Sequence, residues 1–410
     1  MTDARHTPET RGRSELGEAQ LDCLPTTCDV LVVGGGIHGV GVAQAAAAAG
    51  HTTVLVERTA LAAGTSSKSS KLVHGGLRYL ESAQFGLVRE SLAERALLLE
   101  LAPQLVQLVP FHIPVYRTTS RRAWMVQTGL SLYATLGNLR ETARFSRVPR
   151  REWSELDGLR TDGLQAVFRY YDGQTDDAAL TRAVADSATD LGARILAPAT
   201  LVSATRKGSA YRVELEVCGE AAELRAATLV NAAGPWVNGV VDRITPPPAR
   251  RNVDLVSGTH IEIEGEVQQG IYYTEAPTDQ RAVFTMPWQG HALIGTTEKP
   301  FEGDPATVEP SGEEIDYLLG VHAHYFPGQE QKLISAWAGL RVLPHGAGDA
   351  FNRPREVILP VDRRDEPRLV SIYGGKLTGY RLTAEKVLEI LSPSLPGAQP
   401  VADTRHIKLG

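Results

Sequence analysis

Residues 29–57 read DVLVVGGGIHGVGVAQAAAAAGHTTVLVE, and this stretch decides the fold. It predicts a buried strand over 30–33, a glycine-rich turn, an alanine-rich helix over about 37–49 and a second strand over 53–56. The second strand ends at an acidic residue, Glu57. Strand, glycines, helix, strand and terminal acid in this order indicate a βαβ unit that binds a dinucleotide.

Each glycine of the G-x-G-x-x-G spacing has a physical role. Gly34 makes the tight turn, Gly36 lets the backbone approach a pyrophosphate, and Gly39 lets the helix pack close to the strand. The helix starts at Ile37, and its free N–H groups are placed to bind the anion. Glu57 is placed to accept hydrogen bonds from a ribose. The alternative is a structural turn without a ligand.

Composition limits the class of protein. The chain has 410 residues, 42% hydrophobic and 22% charged, which is typical of a globular protein with two intertwined domains. The net charge of −6 gives no electrostatic case for nucleic-acid binding. The spacing of Cys23, Cys28 and Cys218 suggests neither disulfides nor a metal site, which fits a reducing cytoplasm. Residues 1–28 are expected to form a disordered tail, and no apolar run is long enough to span a membrane.

Three further segments favour a flavoprotein over a nicotinamide enzyme. Residues 230–236 (VNAAGPW) predict a strand that ends in small residues, and residues 374–378 (GGKLT) follow a strand and open a helix. Residues 65–80 (TSSKSSKLVHGGLRYL) predict an ordered loop rich in hydroxyl groups and glycine. Each segment allows a ligand to approach the backbone closely, and the helix after Lys376 presents its N-terminus to a flavin ring.

Other elements follow from periodicity and turn residues. Helices are predicted over 87–105, over 177–191 with Asp177 as N-cap, and over 378–391. Strands are predicted over 194–202, 211–217, 228–231 and 369–373. Residues 255–300 alternate as short strands and turns, which is typical of an antiparallel sheet.

The chain resembles the FAD-dependent, membrane-associated glycerol-3-phosphate dehydrogenase family. The run SSKLVHGGLRYL at 69–80 is the most specific match. Residues 123–133, 231–236, 258–260, 295–297, 339–341 and 374–378 also match, and the resemblance extends from about Asp29 to Leu391. It implies an α/β flavoprotein of the D-amino-acid-oxidase type, with a Rossmann-like FAD domain and a substrate domain built on an antiparallel sheet.

The resemblance implies a discontinuous domain organisation. The FAD domain is expected over 29–110, 175–245 and 338–393, the substrate domain over 111–174 and 246–337, and a tail over 394–410. Family members usually carry a further C-terminal helical domain, most of which is expected to be missing here. Gly379 and Glu298 stand where members often have Thr and Asp.

The glycine pattern and the resemblance together nominate residues that bind the cofactor FAD. They are Gly34, Gly36, Ile37, Gly39, Glu57, Arg58, Thr65, Ser66, Ser67, Leu72, His74, Gly75, Gly76, Leu201, Ala233, Gly234, Trp236, Gly375, Lys376, Leu377 and Thr378. The hydroxyl residues at 65–67 could alternatively be turn residues.

Oxidation of a phosphorylated secondary alcohol requires cationic anchors and a base. By resemblance, Arg78 and Arg341 clamp the substrate phosphate. Lys376 serves the phosphate, the flavin or both, and Tyr79 could donate a hydrogen bond to the substrate. His74 is the candidate base or alkoxide stabiliser, with a structural histidine as the alternative. Two pairs of residues receive structural readings: the acids at 176–177 as a helix cap, and the histidines at 322 and 324 as surface or structural residues.

The predicted reaction is oxidation of sn-glycerol 3-phosphate to dihydroxyacetone phosphate, with hydride passing to flavin N5 and electrons to a membrane quinone. The alternatives are an oxidase that uses dioxygen, an amine-oxidising enzyme of the same superfamily, and a flavin-binding remnant without turnover. The oligomeric state stays open.

The segment from Phe111 to Arg151 is basic. It carries the arginines at 117, 121, 122, 140, 144, 147, 150 and 151 against one acid, Glu141, and apolar residues at 124–126, 130, 132 and 136 lie between them. A packed amphipathic helix with a solvated rim is the favoured interpretation. The alternative is docking on an anionic membrane surface, which suits a peripheral protein on the inner face of the cytoplasmic membrane.

Overall fold

A computed structural model describes residues 24–345 and 357–410. Within these residues, the helices in chain order are α1 (Ile37–Ala48), α2 (Phe85–Leu101), α3 (Ala123–Leu136), α4 (Asp177–Asp190), α5 (Val237–Val241), α6 (Gly312–Tyr325) and α7 (Tyr380–Leu391). The strands in chain order are β1 (Thr27–Val33), β2 (Thr53–Val56), β3 (Leu72–Val73), β4 (Val106–Tyr116), β5 (Ser146–Arg147), β6 (Leu164–Thr175), β7 (Arg194–Leu196), β8 (Ala199–Lys207), β9 (Ala210–Val217), β10 (Glu220–Asn231), β11 (Ile244–Thr245), β12 (Val253–Ile263), β13 (Ile271–Glu275), β14 (Ala282–Trp288), β15 (His291–Gly295), β16 (Lys299–Phe301), β17 (Leu333–Pro344) and β18 (Leu369–Ser371).

The described residues divide into two compact units. Unit 1 comprises 24–67, Asp177–Val253 and 357–410, and unit 2 comprises Lys68–Asp176 and 254–345.

Unit 1 is built on a sheet whose strand order is β11-β8-β9-β10-β1-β2-β7, with β18 also paired to β10. Strand β1 pairs in parallel with β2 and β10, and β10 pairs in parallel with β18. Residues 30–32 of β1 and residues 54–55 of β2 have no exposed surface. Such continuous apolar strands are typical of a parallel sheet that is covered on both faces.

Helix α1 lies at the centre of the helical layer of unit 1 and contacts α4 and α7. Its alanine-rich sequence leaves small side chains on every side, which suits a helix buried almost all round. The C-terminal segment packs on the end of α1, since Val401 N and Ala402 N both donate to Ala48 O, at 2.8 and 3.1 Å.

Unit 2 is built on a sheet whose strand order is β16-β12-β15-β14-β13-β4-β6-β3, with β17 paired to β12 and β5 paired to β6. Strands β12 to β15 form the antiparallel arrangement that the alternation over 255–300 predicts. Two hydrophobic clusters pack against this sheet. One contains Tyr272 and Phe326 from β13 and the end of α6, and the other contains Tyr133 of α3 and Phe168 of β6.

The units differ from the expected domains at several places, among them residues 175–176, which belong to unit 2, and residues 246–253, which belong to unit 1. Residues 68–110 belong to unit 2, because β3 and β4 pair with β6. Residues 338–345 belong to unit 2, because β17 pairs with β12. Residues 394–410, expected to be a tail, belong to unit 1. The tail expected over 1–28 falls on residues 1–23, outside the described residues, but residues 27–28 already form the start of β1.

Local differences have physical causes. The strand expected over 194–202 is divided into β7 and β8 around Pro198, which cannot donate to the sheet. Asp177 is the first residue of α4 rather than its N-cap, and its side chain accepts the N–H of Ala178. Among the described residues, no helix has the length and hydropathy needed to cross a membrane.

Candidate functional site

The glycine turn after β1 leaves no room for side chains. Gly34 has φ = +112°, and a Cβ there would lie 2.7 Å from Ala232 O at the end of β10. A Cβ at Gly39 would lie 1.8 Å from Gly34 O. These contacts require glycine at both positions, as the fingerprint predicts. They bring the turn against the 231–236 segment, so two of the predicted cofactor-binding segments meet in unit 1.

Two side chains hold the turn in place. The Glu57 carboxylate accepts the Gly35 N–H at 2.7 Å through Oε2 and the Thr59 N–H at 2.8 Å through Oε1. The Ser66 hydroxyl accepts the Ile37 N–H at 2.9 Å. The first turn of α1 contains no acidic residue, and its N-cap, Gly36, offers no side chain. The helix itself therefore places no carboxylate on its positive end, which favours an anionic ligand there.

The predicted cofactor-binding segment at 374–378 also reaches this turn. A Cβ at Gly375, which has φ = +104°, would lie 2.1 Å from His38 Nε2 on α1. Burial lowers the pKa of His38 to about 4, so this ring is neutral near pH 7. Lys376 is the N-cap of a 3-10 turn over Leu377–Gly379 that leads directly into α7. The sequence reasoning missed His38, although its position inside the fingerprint was a signal.

Two other cofactor candidates lie in different surroundings. The Arg58 guanidinium lies 4.9 Å from the centroid of the Trp236 ring, so these two candidates contact each other. The Leu201 side chain lies in the hydrophobic core of unit 1, because the alternation along β8 turns it inward, so its role toward FAD stays a prediction for its backbone.

In unit 2, a buried polar cluster forms around His260, which the sequence reasoning did not assign. His260 Nε2 lies 2.9 Å from Ser70 Oγ, and the His260 ring stacks on Trp337 with centroids 5.8 Å apart. Lys71 Nζ lies 5.3 Å from the centroid of Trp288 and 5.7 Å from that of Trp337. Burial, then the nearby charges of Arg341 and Lys71, lower the pKa of His260 to about 3. A neutral imidazole among two cations can accept a hydrogen bond without adding charge.

Arg341 lies beside this cluster. Its Nη1 donates to Glu298 Oε1 at 3.0 Å, and its Nη2 lies 3.3 Å from Thr296 Oγ1. A Cβ at Gly258 would lie 3.1 Å from Arg341 Nη2, so the glycine of β12 makes room for the guanidinium. Arg341 is 22% exposed and Glu298 is 8% exposed, so the cation is partly buried and already oriented by a carboxylate. We call Ser70, Lys71, His260, Thr296 and Arg341 the cationic cluster.

The turn that carries His74 follows β3. Gly76 has φ = +77°, and a Cβ there would lie 2.2 Å from the Tyr79 ring. Tyr79 is 7% exposed and packs in the hydrophobic cluster of α2 and α3, and its hydrogen bond to a substrate stays a prediction. The Arg78 guanidinium lies 5.9 Å from the Tyr79 ring centroid. Leu72 is buried in the same cluster, on β3.

Within each unit the structure thus brings part of the predicted set together. The glycine turn, Ser66, Glu57, Trp236 and Gly375 are neighbours in unit 1. In unit 2, Arg341 joins residues that were not predicted. The match of residues 258–260 to the family was the signal for His260, but no periodicity or spacing singled it out. Among the described residues, no group of three or more His, Cys, Asp or Glu side chains is arranged to hold a metal ion.

Residues 29–384 match the model of the family described as "FAD dependent oxidoreductase". The chain belongs to this family. Its similarity to individual members covers most of the chain. It is 38% identical over 378 residues to D-erythritol 1-phosphate dehydrogenase of Brucella abortus (strain 2308), covering 91% of this chain and 75% of that one. It is 39% identical over 384 residues to glycerol-3-phosphate dehydrogenase of Pseudomonas aeruginosa, covering 92% and 74%.

A solved structure gives the same family fold. The glycerol-3-phosphate dehydrogenase from Bacillus halodurans complexed with FAD superimposes with a TM-score of 0.75 at 27% identity, covering 97% of this chain and 70% of that chain. The predicted fold class and the FAD cofactor are therefore confirmed. Unit 1 fits the cofactor. A Cβ at Gly34, Gly39 or Gly375 would collide with neighbouring protein atoms, so the three glycines keep bare backbone at this turn, and α1 begins without an acidic cap.

Proposed function

We propose that this enzyme oxidises sn-glycerol 3-phosphate to dihydroxyacetone phosphate through FAD and passes the electrons to a membrane quinone. The observation that carries the choice of substrate is the cationic cluster of unit 2. A partly buried Arg341 with Lys71 nearby suits a phosphate ester, because a guanidinium binds two phosphate oxygens at once. An amine substrate would not need these cations. The names of the Pseudomonas and Bacillus relatives support the same choice.

The roles of the residues follow from their chemistry. Arg341 binds the phosphate and Arg78 is the second clamp. His74 takes the proton of the secondary hydroxyl as general base. Lys376 is predicted to bind the phosphate, the flavin or both. FAD, when bound, supplies the two-electron acceptor that takes the hydride at N5.

The direct test is anaerobic titration of the purified flavoprotein. Added sn-glycerol 3-phosphate should bleach the flavin absorption, whereas glycerol, which lacks the phosphate, should not do so at the same concentration. Bound flavin that no phosphorylated polyol reduces would favour the flavin-binding remnant and contradict the proposal.

A second substrate has a specific observation behind it. The Brucella relative named D-erythritol 1-phosphate dehydrogenase is as similar to this chain as the glycerol-3-phosphate dehydrogenases are. Both substrates carry a phosphate and a secondary hydroxyl, so the cationic cluster serves either. The ratio of kcat/KM for the two compounds decides between them, and a ratio favouring the four-carbon compound would replace the first choice.

The electron acceptor requires its own measurement. The proposal expects reduction of a soluble quinone analogue by substrate-reduced enzyme to be much faster than formation of hydrogen peroxide in air. Stoichiometric peroxide at the full turnover rate would instead identify an oxidase.

We also propose that helix α3 docks on anionic lipid at the cytoplasmic face of the membrane. Helix α3 buries Val126, Leu130, Tyr133 and Ala134, yet exposes Trp124 to 68%, Met125 to 43% and Leu132 to 36%. The hydroxyls of its outer face bond to carbonyls one turn back, as Thr128 does to Trp124 O at 2.9 Å. The exposed arginines Arg117 and Arg122 precede the helix. Apolar rings beside arginines are typical of a surface that binds anionic lipid.

Arg121 takes no part in this surface. It donates to Glu81 at 2.5 Å and to Glu275 at 2.6 Å, so its reversal would break ion pairs within unit 2. A clean test reverses only Arg117 and Arg122 to Glu. Each reversal should weaken binding to phosphatidylglycerol vesicles by about 1 kcal/mol or more at low salt, with the effect fading as salt rises.

The matched control reverses Arg363 and Arg364, two exposed neighbours in unit 1. Dye-linked turnover should be largely spared in both double variants. Equal vesicle binding by the parent and the Arg117→Glu/Arg122→Glu variant would return α3 to its interpretation as a packed helix with a solvated rim.

A further inference from the structure

A buried polar network lies behind the turn that carries His74. Arg95 of α2 is 2% exposed, Asp172 of β6 is 1% exposed and Tyr133 of α3 is 1% exposed. Arg95 Nη1 donates to Asp172 Oδ1, and the Tyr133 hydroxyl donates to Asp172 Oδ2 at 2.7 Å. Arg95 also donates to Tyr171 O at 2.8 Å and to Thr142 O at 3.0 Å. The carboxylate is thus paired and oriented from two sides.

The network ends on the backbone of the turn. The Gly75 N–H donates to the Tyr133 hydroxyl at 2.9 Å and lies 3.3 Å from Asp172 Oδ1. A Cβ at Gly75 would lie 2.4 Å from the Tyr133 hydroxyl, so only glycine lets the turn come this close. Gly75 immediately follows His74 in the chain, and these contacts therefore fix the peptide next to the candidate base.

Stability alone is a weak reason for such a network. Burying an arginine and a carboxylate is costly, and well-packed apolar residues in their place are often no less stable. Buried polar groups do, however, specify one geometry. Burial, with Asp172 beside it, holds the pKa of Tyr133 well above its ordinary value, so the hydroxyl keeps the proton that it donates.

Unit 1 contains a triad of the same composition. Arg206 Nη1 donates to Asp362 Oδ2 at 2.7 Å, and the Tyr211 hydroxyl lies 3.3 Å from the same oxygen. Asp362 Oδ1 accepts the N–H groups of Arg368 and Leu369, at 2.9 and 3.1 Å, at the start of β18. This triad holds the segment from Asp362 to Leu369 against the sheet. None of its described hydrogen bonds involves a candidate site residue.

We propose that Arg95, Asp172 and Tyr133 are positioning residues that hold the His74–Gly76 turn in the geometry required for turnover. The proposal rests on the proposed function for its kinetic part. Its structural part stands on the bonds between Gly75, Tyr133 and Asp172, and can be tested without substrate.

The test is Tyr133→Phe in the holoenzyme, which keeps the buried ring and removes the hydroxyl. With dye as acceptor, kcat for sn-glycerol 3-phosphate should fall about 10- to 100-fold, because a small displacement of a catalytic group is that costly. Inhibition by inorganic phosphate should change less than about twofold, because the cationic cluster is untouched. Hydrogen exchange at residues 72–80 should accelerate.

Tyr211→Phe is the matched control, since it removes a tyrosine hydroxyl from the triad of unit 1. It should leave kcat and exchange at 72–80 unchanged. Arg95→Lys keeps the positive charge but loses the forked contacts, and should change kcat and exchange in the same direction as Tyr133→Phe. This second variant serves if Tyr133→Phe does not fold.

Three outcomes would overturn the proposal. One is unchanged exchange at 72–80 in Tyr133→Phe. Another is faster exchange with parental kcat. The third is a loss of kcat matched by Tyr211→Phe. If the parent itself is not reduced by any phosphorylated polyol, the proposed function fails, and exchange at 72–80 still decides whether the network holds the turn.

Discussion

In unit 1 the proposed ligand-binding features are mainly backbone, whereas in unit 2 they are mainly buried and partly buried charged side chains. The turn of unit 1 depends on glycines that leave room for backbone and on helix N–H groups without an acidic cap. The cationic cluster of unit 2 depends on Arg341 and Lys71, held by a carboxylate and by aromatic rings. This difference predicts which substitutions matter. An added side chain at a glycine should reduce FAD binding by unit 1, and loss of a positive charge should weaken substrate binding by unit 2.

The largest effect is expected from adding one methyl group to the turn of unit 1. In Gly39→Ala, the new Cβ would lie 1.8 Å from Gly34 O, and backbone cannot move aside as a flexible side chain can. We expect purified Gly39→Ala to contain almost no FAD, measured as the ratio of flavin to protein absorbance. Circular dichroism would report whether the fold survives.

The matched control is Gly239→Ala in α5, where a Cβ would meet nothing within 4 Å. Helix propensity favours alanine over glycine by up to about 1 kcal/mol, so this variant should keep its FAD and its stability. Full flavin content in Gly39→Ala would show that the turn tolerates bulk, and the contrast between the units would fail.

A smaller effect is expected from removing one charge in unit 2. In Arg341→Ala, a phosphate would lose a partly buried guanidinium, which typically costs about 2–5 kcal/mol. The apparent KM for sn-glycerol 3-phosphate should therefore rise by roughly 30-fold to several thousand-fold. FAD content should stay near that of the parent, because unit 1 is unchanged.

Glu298 complicates this variant, because it loses the guanidinium that accompanies it at 3.0 Å. A double variant, Arg341→Ala/Glu298→Gln, removes that carboxylate charge as well. If the double variant recovers the parental KM, the defect came from the carboxylate, and Arg341 does not bind the phosphate. Loss of FAD from either variant would contradict the expectation that FAD binding depends on unit 1 and phosphate binding on unit 2.

Local sequence predicted unit 1 better than unit 2. The strand over 53–56 is found at those residues, and α1 begins at Ile37, because glycine spacing and periodicity act within a few residues. The boundaries of the units could not be predicted in this way. They depend on pairing between distant strands, such as β4 with β6 and β17 with β12, which leaves no local pattern.

The same limit applies to the candidate site. His260 was not assigned a role because its neighbours come from distant segments: Ser70, Trp337 and, across the strand register, Gly295. The resemblance to a known family nominated Arg341, but the carboxylate beside it emerged only with the fold. Predictions for individual site residues stay predictions until the variants are measured.

The smallest effect concerns acid stability, which is expected to depend most on unit 2. Burial lowers the pKa of His112 and of His322 to about 4, and burial together with Arg341 and Lys71 lowers that of His260 to about 3. In unit 1, burial lowers the pKa of His38 to about 4. Each unfolded histidine binds a proton below about pH 6.5, while the folded one does not until the pH reaches its own lower pKa.

The sign follows from the protons bound. Between about pH 6.5 and pH 4 the unfolded chain holds more protons than the folded chain, so the free energy of unfolding falls as the pH is lowered, by about 1.4 kcal/mol per pH unit for each such histidine. His322→Phe keeps a ring that can stack on Phe326, now 5.0 Å away, and removes one titrating group. Urea unfolding at pH 7, 6 and 5 should therefore show a shallower loss of stability in His322→Phe, by up to about 1.4 kcal/mol per pH unit.

The control is His406→Phe, at an exposed position in unit 1, which should keep the parental pH dependence. A His322→Phe variant that follows the parent at every pH would mean that protonation of this histidine does not oppose folding, and acid sensitivity would then have to be sought outside α6.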